Sequence, residues 1–435
     1  MDPTMLAIVG VLAMVFCIIM GMNIGVSMIL VALLGIWYSS GFSVALGITK
    51  TVTFATFMKY SFSVIPLFIL MGNFMYYSGL SAGLFKTSNK LLGGIRGGAA
   101  MASVAACAGF GAICGSLSAT TATMSKIAIP EMKKMGYKNY IAAGALAAGG
   151  TLGVLIPPST SFILYGIIAE ESIGKLFAAG VVPGIVCAVT LCCVIYIMIR
   201  LRPQDAPERK KYPLWEKIVS LKHSAGVLII FVLVIGGMFA GVFSATEAAG
   251  AGAFLGFICL VVSGNFSWKR VWEAVVSTVE ISAMCLLIVV GALYFGYFLA
   301  ITQLPQNIST WIGSLAVNRY VIVFAILVLY AIMGCFMDGL AIILLTTPIF
   351  LPLIRNLGFS AIWWGVVLQI IMNLGAITPP VGMSAYVVSG TCKEISLQEA
   401  FKGALPMCFG IVVAEILIVA FPALALWFPG LFYNL

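Results

Sequence analysis

Long apolar runs separated by short polar segments follow one another along almost the whole chain. Runs such as residues 176–199 and 275–300 have the length and composition of helices that cross a membrane. Lys and Arg residues gather in the short segments between the runs, as they do in the loops of membrane proteins. The pattern predicts an all-α polytopic membrane protein. Residues 6–20 are predicted to be a retained first span, because no basic segment of a signal peptide precedes them.

Two apolar runs contain adjacent prolines, which a continuous membrane helix does not tolerate. Residues 150–159 read GTLGVLIPPS, and residues 374–383 read LGAITPPVGM. Proline lacks a backbone donor and clashes with the preceding turn, so the helix must break at these points. Inside a membrane, broken backbone persists only where protein or a water-filled cavity satisfies its free polar groups. These two stretches are named the first break and the second break.

The two breaks belong to two copies of one unit. An offset of 222 residues aligns five Gly and Pro pairs without a gap: Pro130 with Pro352, Gly136 with Gly358, Gly153 with Gly375, Pro157 with Pro379 and Pro158 with Pro380. The chain therefore divides into a first repeat at residues 1–200, a linker at 201–222 and a second repeat at 223–435. Each repeat is expected to contain scaffold helices, a hairpin and a broken helix, at residues 1–60, 97–130 and 140–170 in the first and 223–274, 320–352 and 361–391 in the second.

Loop charges predict how the repeats lie in the membrane. Residues 200–222 contain seven Lys and Arg, which predicts a cytoplasmic linker. Basic residues flank the first hairpin on both sides, so it must enter and return, with its tip at residues 111–120 (GAICGSLSAT). The second hairpin has its tip at residues 334–341 (GCFMDGLA), and only Arg355 follows it. We expect an inverted repeat of about ten transmembrane helices plus two re-entrant hairpins, with both termini in the periplasm.

Composition excludes several classes of function. The chain is 62% hydrophobic and 9% charged, which leaves no room for a sizeable soluble domain. Its net charge of +9 is explained by the basic loops, so no nucleic-acid partner is expected. Eleven Cys are scattered through apolar helices beside a single His, His223, without the spacing of a zinc or disulfide framework. We predict no cofactor and no enzymatic activity.

The breaks and tips offer the chemistry of an ion-coupled transporter. Free carbonyl groups at a helix break coordinate Na⁺, and the starts of half-helices present N–H groups to anions. One Na⁺ is predicted between the first tip and the first break, and symmetry predicts another in the second repeat. The predicted ligands are Gly111, Cys114, Gly153, Ile156 and Pro158 for the first ion, and Gly334, Gly375, Thr378 and Val381 for the second.

The substrate is expected to meet the polar residues of the tips and the prolines of the breaks. These residues are Ser116, Ser118, Thr120, Asp338, Pro157 and Pro379. Asp338 is an acid within a membrane segment, where ionisable residues usually serve function. The alternative role of Asp338 is to cap the helix that follows it. Ser116 and Ser118 have the same alternative, or they pack between helices.

The motifs GAICGSLSAT, GTLGVLIPPS, FMDG and LGAITPPVG, in this order, resemble the large membrane subunit of the tripartite ATP-independent periplasmic (TRAP) transporters over essentially the whole chain. The resemblance implies a Na⁺-coupled elevator importer of an organic acid anion in the bacterial inner membrane. It also implies a periplasmic substrate-binding protein, a small four-helix membrane subunit as a separate chain, and membrane lipid as partners. The acid is left open between a C4-dicarboxylate, sialic acid, another sugar acid and a keto acid. Cys114 stands where members of this family often carry Ser, which would leave a main-chain ligand unchanged.

Three other functions are alternatives. A stand-alone divalent-anion/Na⁺ symporter shares the hairpins and needs no binding protein. A channel also uses broken helices, although channel filters usually form around the axis of an oligomer. A hydrolase is indicated only by GLSAG at residues 79–83, which lacks the strand–turn–helix context that the G-x-S-x-G motif requires.

Overall fold

The computed structural model describes residues 2–207, 212–314 and 317–433, and every regular element within them is a helix. The helices of the first half are α1 (Pro3–Ile19), α2 (Ile24–Ser40), α3 (Phe42–Met58), α4 (Val64–Tyr77), α5 (Ser81–Leu92), α6 (Gly98–Cys114), α7 (Leu117–Lys134), α8 (Asn139–Leu155), α9 (Thr160–Ala169) and α10 (Ile173–Leu201). The predicted all-α class is confirmed. Of the basic residues in the predicted linker, Arg209, Lys210 and Lys211 lie outside the described residues.

The second half continues with helices of very different lengths. They are α11 (Leu214–Ser220), α12 (Ala225–Phe231), α13 (Gly237–Phe239), α14 (Ala245–Val262), α15 (Trp268–Ile301), α16 (Leu304–Ser314), α17 (Arg319–Gly334), α18 (Gly339–Asn356), α19 (Ala361–Ile377), α20 (Met383–Thr391), α21 (Leu397–Ala420) and α22 (Ala423–Gly430). Short 3₁₀ turns lie at Tyr60–Ser63, Pro203–Asp205 and Leu221–His223, and a π turn at Val232–Gly236 joins α12 to α13.

Fewer of the described helices are long and apolar enough to cross a membrane than the ten spans that the sequence predicts. In the described part of the chain six helices are long and apolar enough to cross a membrane, or up to eight if each of two bent helix pairs counts as one span. The helices at two predicted spans, α1 and α2, have 17 residues each, at the short end of the range for a transmembrane helix. The count of ten therefore stays a prediction.

The helices of the two halves repeat at the offset that the sequence shows. Helices α7 and α18 begin and end at positions 222 residues apart, and so do α8 and α19. In each half a helix–tip–helix unit is followed by a helix that breaks and restarts, and α8 and α9 meet at 41°. The Pro–Pro bond of each break is cis. The Gly-x-x-x-Pro-Pro pattern produces this local structure because the prolines prevent the hydrogen-bond ladder from continuing.

Helices α8 and α19 lie at the centre of the molecule. Residues Ile141–Leu155 of α8 are all buried, and most of them are Ala or Gly. Small side chains let neighbouring backbones approach closely, which is how helices pack tightly in membranes. Gly144 of α8 meets Gly403 of α21 in this way, backbone against backbone. Each break therefore lies at the end of a central helix, the first after α8 and the second after α19.

The outer end of each hairpin is tied to the other half of the chain. Lys133 at the end of α7 forms an ion pair with Glu394, which precedes α21. Arg355 at the end of α18 is the aligned residue, and its guanidinium donates to the Glu171 carboxylate and to the Ala169 carbonyl, both at 2.9 Å. The two ties connect the hairpins to the segments that follow α9 and α20.

The Lys133–Glu394 pair predicts a small pH dependence of stability. The Lys133 ammonium lowers the pKa of Glu394, so the stabilisation is present above the ordinary pKa of a glutamate and is lost as pH falls through the lowered value. The effect is small because both side chains are largely exposed. Thermal melting curves of the parent and of Glu394→Gln are expected to differ near neutral pH and to converge on acidification. A difference that grows towards acid pH would contradict this sign.

Candidate functional site

A cavity of about 130 Å³ lies between the two hairpin tips. Its walls come from both tips, from the starts of α9 and α20, and from the middle of α19. Its polar lining residues are Ser116, Ser118, Thr160, Ser161, Asp338, Gln369 and Asn373. The cavity is therefore built by both halves of the chain together.

Four helices begin at the cavity. Its lining includes Leu117 of α7, Thr160 of α9, Gly339 of α18 and Met383 of α20, each the first residue of its helix. The first turn of a helix has free N–H groups and the positive end of the helix dipole. Helix starts bind anions for this reason. The cavity thus offers an anion the positive ends of four helices, while among the described residues its wall contains no Lys or Arg and one carboxyl group, that of Asp338.

Asp338 caps a helix and also lines the cavity. Its side chain accepts a hydrogen bond from the Leu340 N–H at 3.0 Å and so caps α18, and the same residue lines the cavity. Ser116 is the aligned residue in the first repeat and caps α7 by accepting from the Ala119 N–H at 3.5 Å. The first repeat therefore places a hydroxyl, and the second a carboxylate, at equivalent ends of the cavity.

The first tip and the first break are in direct backbone contact. A Cβ added at Gly111 would overlap the Cα of Gly153, and one added at Gly153 would lie 3.0 Å from the Ser116 carbonyl oxygen. The tip is also bonded to the restart of the helix, because the Thr160 hydroxyl donates to the Gly115 carbonyl at 2.9 Å. Only glycine permits this approach at residues 111 and 153.

Thr120 has a buried hydroxyl beside the Cys114 thiol and the first break. The residue is 0% exposed, and its Oγ1 would lie 2.6 Å from a Cβ at Gly153. A thiol is a weak hydrogen-bonding group, so the Thr120 oxygen keeps lone pairs for a stronger ligand. Hydroxyl and carbonyl oxygens at a helix break are the ligands that coupling cations use in transporters. The Thr120 hydroxyl and the Ser116 carbonyl are two such oxygens beside Gly153.

Three other predicted ligands of the first ion also lie where the first tip meets the first break, here called the first junction. Each of them has neighbours that differ from those of Thr120. The Cys114 carbonyl oxygen would lie 3.0 Å from a Cβ at Gly72 of α4, and the Pro158 carbonyl oxygen 2.7 Å from one at Gly115. The Ile156 side chain packs against Gly184 of α10. Their roles as main-chain ligands stay predictions.

The second junction, where the second tip meets the second break, repeats the glycine contact but has no counterpart of the Thr120 hydroxyl. A Cβ at Gly375 would lie 2.5 Å from the Cα of Gly334, and the Val381 N–H donates to the Cys335 carbonyl at 3.2 Å. The Thr378 hydroxyl donates back to the Leu374 carbonyl at 2.6 Å and contacts Cys408 at 3.6 Å. Ile342 stands at the position aligned with Thr120. The two predicted ion sites are therefore chemically different.

The predicted substrate residues divide into two groups. Ser116, Ser118 and Asp338 line the cavity. Thr120 and Pro157 are buried, and Pro379 is exposed, and none of these three is part of the cavity wall. The physical reason for Thr120 is that its hydroxyl faces the glycine contact inside the first repeat, whereas each proline precedes in the chain the helix start that lines the cavity.

Sequence reasoning missed four polar residues of the cavity. Thr160 and Ser161 begin α9, and Gln369 and Asn373 lie one turn apart on α19. A signal for the amides is present in the sequence, because two amides four residues apart interrupt an otherwise apolar buried helix.

Comparisons with known sequences find a matching protein family and related transporter proteins. A sequence model of the family described as the tripartite ATP-independent periplasmic transporter, DctM component, matches residues 11–424. The C4-dicarboxylate TRAP transporter large permease protein DctM of Pseudomonas aeruginosa is 35% identical over 378 residues, which cover 87% of this chain and 88% of that protein. The sialic acid TRAP transporter large permease protein SiaM of Vibrio cholerae is 29% identical over 430 residues, with 98% and 99% covered.

A solved structure has a similar fold. The YdaH transporter of Alcanivorax borkumensis, reported to have an unusual topology, gives a TM-score of 0.61 at 15% identity over 87% of this chain and 89% of that one. At this identity the likeness concerns the fold alone.

Proposed function

Because this chain belongs to the family of the DctM component of tripartite ATP-independent periplasmic transporters, we propose that it moves a small organic acid anion across the inner membrane together with Na⁺. The resemblance seen in the tips and breaks is confirmed, and the chain is a multi-pass transporter permease component, not an enzyme. Two relatives are named for C4-dicarboxylate and for sialic acid. We propose an acid of this general kind as the substrate.

The observation that carries the proposal is the meeting of four helix starts at one cavity between the tips. A carboxylate there would be stabilised by N–H groups and helix dipoles without a buried Lys or Arg. Weak, distributed positive charge suits a transporter, because the anion must leave as well as bind.

Na⁺ coupling is supported by the buried Thr120 hydroxyl at the first junction, which has only the weakly hydrogen-bonding Cys114 thiol beside it. A Na⁺ bound by Thr120 and nearby carbonyls would tie the first tip to the first break. The start of α7, which faces the substrate, would be ordered by the same event. Ion binding and substrate binding would then favour each other. We propose a second ion as well, bound by Gly334, Gly375, Thr378 and Val381. No hydroxyl equivalent to that of Thr120 supports this second site.

We further propose an elevator movement of the two hairpins and breaks as one transport domain. The scaffold would consist of α2, α14 and the amphipathic arms that follow them, and both termini would lie in the periplasm. The proposal includes a separate small four-helix membrane subunit and a periplasmic substrate-binding protein as partners. The ties from Lys133 and Arg355 support a transport domain that moves as one body, because they join the hairpins to the opposite repeat.

Reconstitution into liposomes with the small membrane subunit tests the proposal. Uptake of a radiolabelled acid is expected to accumulate it against its gradient, to require an inward Na⁺ gradient and to need the binding protein. Full uptake without the binding protein would favour the stand-alone symporter instead. Downhill flux that ignores Na⁺ would indicate a channel.

A further inference from the structure

The middle of α19 presents an amide pair to the cavity. Gln369 and Asn373 are 3% and 2% exposed, and both line the space between the tips. The Gln369 Nε2 donates to the Asn373 Oδ1 at 3.4 Å, which orients the Gln369 amide. The Gln369 Oε1 is buried and has no hydrogen-bond partner. Gln369 therefore brings an acceptor without a hydrogen-bond partner to the wall of the cavity.

The neighbours of the Gln369 Oε1 would make it selective for a ligand that donates a hydrogen bond. The other α19 residues in the wall are Met372 and Ala376, which are apolar. In the first repeat the positions aligned with Gln369 and Asn373 are Ala147 and Thr151, so the amide pair belongs to one side of the cavity only. A site built to accept a hydrogen bond rejects a ligand that leaves the acceptor unpaired.

The cavity also limits the size of its ligand. Its volume of about 130 Å³ is close to that of an engineered cavity of roughly 150 Å³ that holds benzene. A carboxylic acid of three to five carbons fits such a space. Sialic acid is several times larger than benzene and would extend beyond this space.

We propose that the substrate is a short-chain carboxylic acid with a hydroxyl group next to its carboxylate, and that Gln369 is the residue that recognises this hydroxyl. The carboxylate lies at the helix starts of the tips, and the hydroxyl donates to the Gln369 Oε1. This inference rests on the proposed function and names the chemical class of its substrate.

Matched pairs of acids test the inference. The purified full chain with its small membrane subunit is titrated in NaCl with L-malate and succinate, and with L-lactate and propionate, and thermal stabilisation gives the apparent Kd. Each pair differs by one hydroxyl. The hydroxy acid is expected to bind roughly tenfold more tightly, the usual effect of one hydrogen bond to a buried group. N-acetylneuraminate is expected not to stabilise the protein.

Replacing the acceptor should remove the preference. Gln369→Met keeps the approximate volume of the side chain, and the variant is expected to bind malate and succinate about equally. Gln306→Met on the exposed surface of α16 is the matched control and should keep the parental preference.

Three results would overturn the inference while leaving the proposed function intact: equal binding within both pairs by the parent, an unchanged preference in Gln369→Met, or saturable stabilisation by N-acetylneuraminate. The comparison within the parent does not depend on the folding of any variant. Absence of Na⁺-dependent stabilisation by every acid would instead contradict the proposed function itself.

Discussion

Replacing Thr120 with valine is expected to raise the Na⁺ concentration for half-maximal thermal stabilisation by roughly tenfold or more, the effect of losing one contact to a charged partner. In Na⁺-free buffer the same variant should be at least as stable as the parent. Valine has a similar shape, and the buried hydroxyl that it removes has only the weakly hydrogen-bonding Cys114 thiol beside it. Opposite signs in the two buffers distinguish an ion ligand from a packing residue. The measurement is thermal unfolding across a NaCl series at constant ionic strength, with choline chloride as the replacement.

Thr123 provides the matched control for this experiment. It lies three residues further along α7, and its hydroxyl is buried as well. Thr123→Val is expected to leave the Na⁺ curve unchanged. If Thr120→Val and the parent have the same Na⁺ curve, the hydroxyl is not part of the ion site.

Replacing Gly403 with alanine is expected to destabilise the protein strongly. A Cβ at this position would overlap the Tyr140 carbonyl oxygen and lie 2.8 Å from the backbone N of Gly144. Backbone atoms cannot rotate aside as a side chain can, so α8 and α21 would have to separate. Overpacking of this kind costs about 1–3 kcal/mol and sometimes more. Thermal melting of the detergent-solubilised chain should detect it, and the Na⁺ response should weaken because α8 carries the first break.

Gly390 is the control for Gly403. It lies in α20 with no atom within 4 Å of an added Cβ. Gly390→Ala is expected to melt at or above the parental temperature, since alanine favours a helix by about 1 kcal/mol over glycine. Equal melting temperatures for Gly403→Ala and Gly390→Ala would show that the α8–α21 contact tolerates a side chain.

The repeat and its breaks could be predicted because Gly and Pro act on their own backbone. Pro157 and Pro158 interrupt their helix whatever packs around it, and α8 does end at Leu155 and restarts as α9 at Thr160. The aligned prolines of the second repeat have the same effect between Ile377 and Met383. Ser116 and Asp338 could be found for a similar reason, because a polar residue before an apolar run is a helix cap.

The directions of side chains could not be predicted in the same way. Thr120 was expected to face the substrate, but the approach of α7 to Gly153 of α8 turns its hydroxyl into the first junction. The Thr378 hydroxyl donates to the preceding turn, which the sequence did not indicate, and its role as an ion ligand stays a prediction. Gln369 is separated by more than 240 residues of sequence from the Ser118 side of the cavity, so their proximity depends on how the two halves pack.

By itself the sequence determined the membrane class, the duplication, and the places where helices must stop, because hydropathy and proline geometry are local properties. Only the tertiary structure decided which polar groups meet. Helices α7, α8, α18 and α19 come from both repeats, and their packing brings the helix starts and the Gln369 acceptor to one cavity while it leaves Thr120 beside Gly153. A hydroxyl or an amide has a function only through its neighbours, and those neighbours are distant in the chain.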